Sequence, residues 1–560
     1  MLRRTALALV LCATSCTQAD GPSATESPPP EQQEVLGRAE QAADTLDTPS
    51  EPNSIRFLEQ SSFGPKTSGG ISPAPMGTAE RVMAVGINQS LTDQFALPAS
   101  APYDGEIAQD LGSQFFQRAV LGQDQLRQRV AFALGQILVV SQNGIPESTK
   151  TAYPDAPVAL AGYMNLLSQH AFGNFRTLME EVTKNPAMGR YLDMVNNRAF
   201  DSKGDPIDPN ENYAREMLQL FTLGTYKLNN DGTLLLDVEG HPQRAYTEEN
   251  VKAFARALSG WTWNATACPA KGAAINTPDY KNPLMPCNVN HDTSSQELLR
   301  GVSTTAGGTI TQHLTQALNN VFNDPNVPPF ISRQLIQHLV TSNPSAAYVR
   351  RVANVFRNDG TGTRGNLEAV VRAILVDAEA RGAQPPVALR EGYGHLRSPV
   401  LFITNVVRWL NAELDITTKD PGLKLSNWSK TMNQWVPRSP SVFNYYPPNA
   451  PLPGADGLVG PEFAILDTAT VTARANFLHE FLNSGSTANA GILVDYNQFP
   501  HVNTDLVAWM NRFYLHGTMS TDLEQRLLTA MNDSRADSVS RKKKLGLYLM
   551  FLSPSFQIQR

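Results

Sequence analysis

Apolar residues recur at helical spacing along nearly the whole chain, and this periodicity narrows the choice of fold more than any other feature. Leu126, Val130, Ala133, Leu134, Ile137 and Leu138 share one helical stripe, as do Asn174, Phe175, Leu178, Met179 and Val182. Thr247 reads as an N-cap, with Glu248 and Glu249 in the first turn and Val251, Phe254, Ala255 and Leu258 on one face. Further helices are expected over 330–341, 345–357, 365–380, 399–412, 461–484, 503–515, 521–532 and 538–551. Strand signals are few, the best being a hairpin over Thr225–Leu236 turned by Asn230-Asp231-Gly232. The expected fold is therefore all-α: a large multi-helix globular body, in one piece or two helical lobes, with one small β-hairpin.

Two long segments interrupt the pattern, and both are expected to be ordered. Residues 264–290 are rich in Asn and Pro and read as a surface insertion; residues 427–460 carry Trp428, Trp435, Phe443, Tyr445 and Tyr446 among many prolines. Ser398-Pro399, Ser439-Pro440 and Ser553-Pro554 read as helix starts, with serine as the cap and proline in the first turn.

The N-terminus points to export. Arg3 and Arg4 precede the apolar run Ala6–Leu11, and Ala13-Thr14-Ser15-Cys16 follows, giving a signal peptide over 1–16 that is too short to span a bilayer. Small residues before a cysteine resemble a lipobox, which would make Cys16 the lipidated first residue, although Ala13 stands where Leu is usual. Thr17 in the next position resembles outer-membrane lipoproteins; ordinary cleavage and a periplasmic or extracellular soluble product is the alternative. Residues 17–53, with Pro28-Pro29-Pro30 and few large apolar side chains, read as a disordered tether to a body over 54–560.

With Cys12 and Cys16 assigned to export, Cys268 and Cys287 remain and are expected to form a disulfide closing a loop of about 20 residues. The formal net charge of -6 argues against a nucleic-acid partner. No nucleophile elbow, Walker loop, dinucleotide fingerprint, H-E-x-x-H or haem attachment motif is present.

The densest polar stretch is 208–216, Asp-Pro-Asn-Glu-Asn-Tyr-Ala-Arg-Glu, set directly ahead of an apolar helical run. Asp208 suits an N-cap, Pro209 the first turn, and Glu211 the returning acid of a capping box. Glu211 and Arg215 are four apart, as are Asn212 and Glu216, so both pairs lie along one flank of a helix. All of this suits a structural helix start; it also suits a carboxylate tuned for acid/base work.

The blocks Ala171-Phe172-Gly173-Asn174-Phe175-Arg176, Pro186-Ala187-Met188, Tyr191-Leu192-Asp193 and Asn210-Glu211-Asn212-Tyr213-Ala214-Arg215-Glu216 resemble the bacterial domain-of-unknown-function family 1800. So do Tyr246-Thr247-Glu248, Leu258-Ser259-Gly260-Trp261, His291-Asp292 and the closing Leu552-Ser553-Pro554-Ser555-Phe556-Gln557, in the same order and spacing. The resemblance implies an exported, mostly helical protein and no particular activity. The loop at 196–208 and the cysteine-bearing insertion depart from the commoner pattern.

The expectation drawn from these residues is a hydrolase or lyase acting on polysaccharide, with Glu211 and Glu216 as acid/base groups, His291 and Asp292 assisting, and Arg215 setting carboxylate charge. Five residues apart on a helix means about 140° apart, so Glu211 and Glu216 need a partner such as Asp193 or Asp292. Asn210, Asn212, Asp193, Trp261, Trp435 and Tyr445 are the expected substrate contacts, the aromatic loop suiting sugar rings. His291-Asp292 reads first as a loop histidine hydrogen-bonded to backbone; the functional reading has the loop fold back over the Glu211 helix and complete a pocket with Trp261. No cofactor or metal is expected. Asp201, Asp205 and Asp208, or Asn229–Gly232, offer oxygens to Ca²⁺ but lack EF-hand spacing. The competing readings are a non-catalytic surface protein that binds glycan or an envelope component, and a metal- or haem-dependent redox protein.

Overall fold

A computed structural model describes residues 45–69, 72–145, 155–382, 392–484 and 489–560. The expected leader with Cys16, and the tether up to residue 44, lie outside these residues. Helices dominate: 22 α-helices and three two-stranded antiparallel ladders occur among the described residues. Thr45–Arg560 makes one contact unit. No described helix is long and apolar enough to cross a membrane.

Local sequence explains most helix starts. Asn174 accepts the Arg176 N–H ahead of Phe175–Lys184, and Thr247 with Asn250 forms a reciprocal capping box on Glu248–Ala257. Ser398-Pro399 opens Pro399–Trp409 and Ser553-Pro554 opens Pro554–Gln557 as read. Ser439-Pro440 starts no helix; the Ser439 hydroxyl instead donates to the Ser441 carbonyl in a bend. Residues 427–431 also depart from expectation, because Trp428 closes the helix Pro421–Thr431 and packs its ring against Phe477 and Phe481. Burial against two phenylalanines takes that ring out of the aromatic loop.

The hairpin is larger than expected. Residues 225–245 run back and forth three times, bridged at Tyr226–Arg244, Leu228–Leu234 and Leu236–Pro242. Cys268 and Cys287 are joined, with Cα atoms 5.6 Å apart, and the Trp261–Thr262 and Met285–Pro286 ladder lies at the same neck. Closing such a loop stabilises the fold by about 3 kcal/mol on the loop-entropy account.

The two ends of the described unit meet in the core. His395–Leu396 pairs with Ile558–Gln559, and fully buried Glu59, from the helix Glu51–Ser61, binds Arg397 and lies 3.2 Å from His516. Burial alone would raise the Glu59 carboxyl, but Arg397, His516 and Arg56 overcome it and hold it below the usual range.

The helix Val327–Leu339 matters most for the site. It packs on Ala346–Arg357 and on Gln125–Ile137, and its Ile331, Leu335, Ile336 and Leu339 are fully buried. Phe330, Arg333, Gln334 and Gln337, spaced i, i+3, i+4 and i+7, lie along a different face.

Candidate functional site

Most polar groups of the 208–216 stretch are matched, by one another or by neighbouring segments. Asp208 does not cap the helix, which begins at Asn212. Asn197 grips the backbone of Asn210 in both directions, donating to its carbonyl and accepting its N–H at 2.7 Å each, and this holds the chain extended. The Asn210 side chain then takes the Asn212 N–H at 2.8 Å, while Asp208 is drawn to Arg256. Arg256 also reaches Asp292 at 3.3 Å. Arg215 binds Glu211 at 2.7 Å and Glu248 at 2.6 Å, near the surface. The guanidinium hydrogen-bonded to Glu248 holds that carboxyl down at about 2. Asn212 meets Asp193 at 3.4 Å.

His291 and Asp292 do not complete an open pocket with Trp261. His291 is 1% exposed, its Nδ1 lies 2.8 Å from the Ser259 carbonyl, and its Nε2 lies 2.9 Å from His313 Nδ1. His313 Nε2 ends the chain at the Thr305 carbonyl. Burial pushes His291 down to about 4, against the Ser259 carbonyl, which favours the N–H form. Trp261 is buried as well. The physical reason is packing: Gly260 turns with φ +95°, and a Cβ there would meet the His291 backbone and side chain at about 3 Å, so the loop is pressed against the core.

Two of the carboxylates considered for Ca²⁺ accept local hydrogen bonds. Asp201 accepts the Lys203 and Asp205 N–H groups, and Asp231 accepts the Thr233 N–H and hydroxyl. Trp435 carries the Lys430 ammonium 3.7 Å and the Arg438 guanidinium 4.3 Å from its ring centre, so cations cover the surface expected to stack on sugar. Tyr445 donates to the Trp435 carbonyl at 2.5 Å and lines a small apolar cavity of about 70 Å³.

Glu216 is the exception within the predicted set. It is 8% exposed, one carboxylate oxygen is buried without a hydrogen-bond partner, and burial raises its pKa despite the nearby Arg215 charge. It sits one helical turn before Gln219, on the same face.

Gln219 belongs to a larger feature that no sequence motif announced. A cleft of about 370 Å³ opens between the 223–234 turns, the helix Val327–Leu339, the end of Gln125–Ile137 and the segment 442–449. That volume falls within the range of small-ligand sites, roughly 300–1,000 Å³. Its rings are Tyr226, Phe330 and Phe443, the last 53% exposed. Its amides are Gln136, Gln219, Gln334, Gln337, Asn444 and Asn449, and its one charged side chain is Arg333.

The walls are held in place by side chains from distant segments. Asn444, left-handed at φ +67°, donates to Gln136 at 2.8 Å, and Gln337 donates to the Pro448 carbonyl at 3.2 Å. Tyr246 donates to Gln219 at 3.3 Å. Gly224, at φ +78°, lets the chain pass over Phe330, whose ring would meet any Cβ there at 2.8 Å. Only one sequence signal pointed here: the i, i+3, i+4, i+7 run of Phe330, Arg333, Gln334 and Gln337 within an expected helix. Aromatic Phe443 was visible in the proline-rich loop, but its neighbours in space were not.

The cleft sets side-chain amides beside one exposed ring, two partly buried rings and one cation. No curated protein and no solved structure matches this chain. The model of one family, described as a protein of unknown function (DUF1800), matches residues 56–558, nearly the whole chain, and the protein belongs to that family.

Proposed function

We propose that this protein binds glycan outside the cytoplasm, with the 370 Å³ cleft as its ligand site and a lipid on Cys16 holding it at the outer membrane. The observation that carries this reading is the lining itself: the exposed Phe443 ring set among side-chain amides in one solvent-reachable groove, with Tyr226 and Phe330 partly buried in its walls. Rings offer flat faces to the C–H side of a sugar, and amides pair with hydroxyls as donor or acceptor. No carboxylate lines the cleft, so the acid/base pair used in most glycoside cleavage is not among its walls.

Titration of neutral and acidic oligosaccharides into the purified protein tests this reading. Phe443→Ala removes the most exposed ring and is expected to weaken binding about tenfold, a loss of ~1.4 kcal/mol. Trp435→Ala is expected to leave affinity unchanged, because Lys430 and Arg438 already occupy that ring. Full affinity in Phe443→Ala would reject the cleft.

A second reading, polysaccharide cleavage, is favoured by one observation: the raised, unpartnered carboxyl of Glu216 beside the Gln219 wall. Under it, Glu216→Gln abolishes product release while binding persists. Unchanged turnover on a confirmed substrate would remove Glu216 from any mechanism.

A further inference from the structure

We infer that the sugar taken by this cleft carries an anionic oxygen group, a carboxylate or a sulfate ester, received by Arg333. The inference rests on the glycan reading above and adds the charge class of the ligand. Two observations lead to it.

First, Arg333 is the single charged residue in the lining, and no aspartate or glutamate shares the cleft with it. Second, Arg333 makes no ion pair among the described residues, whereas several arginines near it or on the polar flank do. Arg300 binds Asp324, Arg351 binds Asp377, and Arg215 binds two glutamates. Protein crowds the Arg333 side chain enough to lower its pKa, yet the residue stays open to solvent, as a cation on the wall of a recess would.

Arg333 presents a planar guanidinium fork to the groove. Arginine binds carboxylate or sulfate oxygens through two parallel N–H bonds, which neutral hydroxyls match poorly. The chain carries a net charge of -6, so attraction of an anion must come from this local site and not from the overall field.

The test is calorimetric titration of the full mature chain with three oligosaccharides of equal length: a uronate oligomer, a sulfated galactan oligomer and a neutral glucan. Wild type is expected to bind at least one anionic oligomer ten times or more tighter than the neutral one, and the arm that does so identifies the anion. Arg333→Gln is expected to erase that preference, lowering anionic affinity tenfold or more to the level of the neutral oligomer, with melting unchanged; Arg333→Lys is expected to keep part of it. In wild type, raising NaCl from 50 to 300 mM is expected to weaken anionic binding selectively, a readout that does not depend on how any variant folds. A preference that survives Arg333→Gln, or that salt leaves untouched, overturns the inference. Neutral binding without anionic preference overturns it while sparing the glycan reading, and failure to bind any of the three overturns both.

Discussion

Two arginines on short helical stretches make the instructive comparison. Arg215 sits in the most polar segment of the chain and is saturated, held by Glu211 one turn away and by Glu248 from the next helix. Arg333 sits in an unremarkable amphipathic helix and has no carboxylate partner among the described residues. Crowding of polar groups along a sequence places donors beside acceptors at i, i+3 and i+4, so they tend to satisfy one another. Unsatisfied groups arise where segments remote in sequence meet and one side brings donors without acceptors. Apart from Glu216, the polar flank is therefore scaffolding with matched partners, and the cleft is where a guanidinium is left without a carboxylate.

The comparison can be broken most forcefully through His291, on the polar flank. Its pKa lies at about 4 in the fold against 6.5 when unfolded, so the unfolded chain binds the proton first as pH falls. The stability owed to a neutral His291 is complete above pH 6.5 and lost between 6.5 and 4, a change on the order of 3 kcal/mol. Urea midpoints of wild type and His291→Gln are thus expected to converge across that window. A gap that stays constant would mean the histidine pair is not sealed.

Asn197→Ala comes next. It removes both bonds to the Asn210 backbone at a buried position, and about 2 kcal/mol of unfolding free energy is expected to go with them. Ligand affinity in the cleft should not move; a parallel loss of binding would join the two regions that the comparison separates.

Glu216→Gln has the opposite sign. Burial raises this carboxyl above its ordinary value of 4.5, so its ionised form disfavours the fold at neutral pH and the penalty vanishes below that value. The variant is expected to melt higher than wild type at pH 7, with the gain disappearing toward pH 4. Lower melting at pH 7 would show that the carboxylate has a partner after all.

Arg215→Gln is expected to have the smallest effect, since surface ion pairs contribute little. Its melting temperature and its oligosaccharide affinity should both stay close to wild type. Loss of affinity here, with the fold intact, would return the active region to the helix start.

Much of the helical framework was legible before any coordinates. The caps at Thr247, Ser398 and Ser553 and the Cys268–Cys287 bond follow from neighbours in sequence or from residues left over once export claimed the rest, whereas Asn174, placed on a helical stripe by its spacing, turned out to cap that helix. Asp208 misled because a cap is read from residue type and spacing, while here Asn197 held the chain extended and Arg256 took the acid. Trp428 misled in the same way: its ring was counted with the loop, and packing on Phe477 decided otherwise. Glu216 was chosen from sequence for its type, but nothing in sequence could say that it alone of that cluster would lack a partner.

The chain by itself determined which segments coil, where many of them start, and which cysteines join, because helical periodicity and capping act over a few residues. Only the tertiary structure decided which polar groups were left unmatched. Residues near 136, 219–234, 330–337 and 442–449 have no local relation to one another, and their meeting depends on how the buried faces of several helices pack. Burial, not residue type, sets whether a carboxylate is paired, silent or raised, and burial is a property of the whole fold.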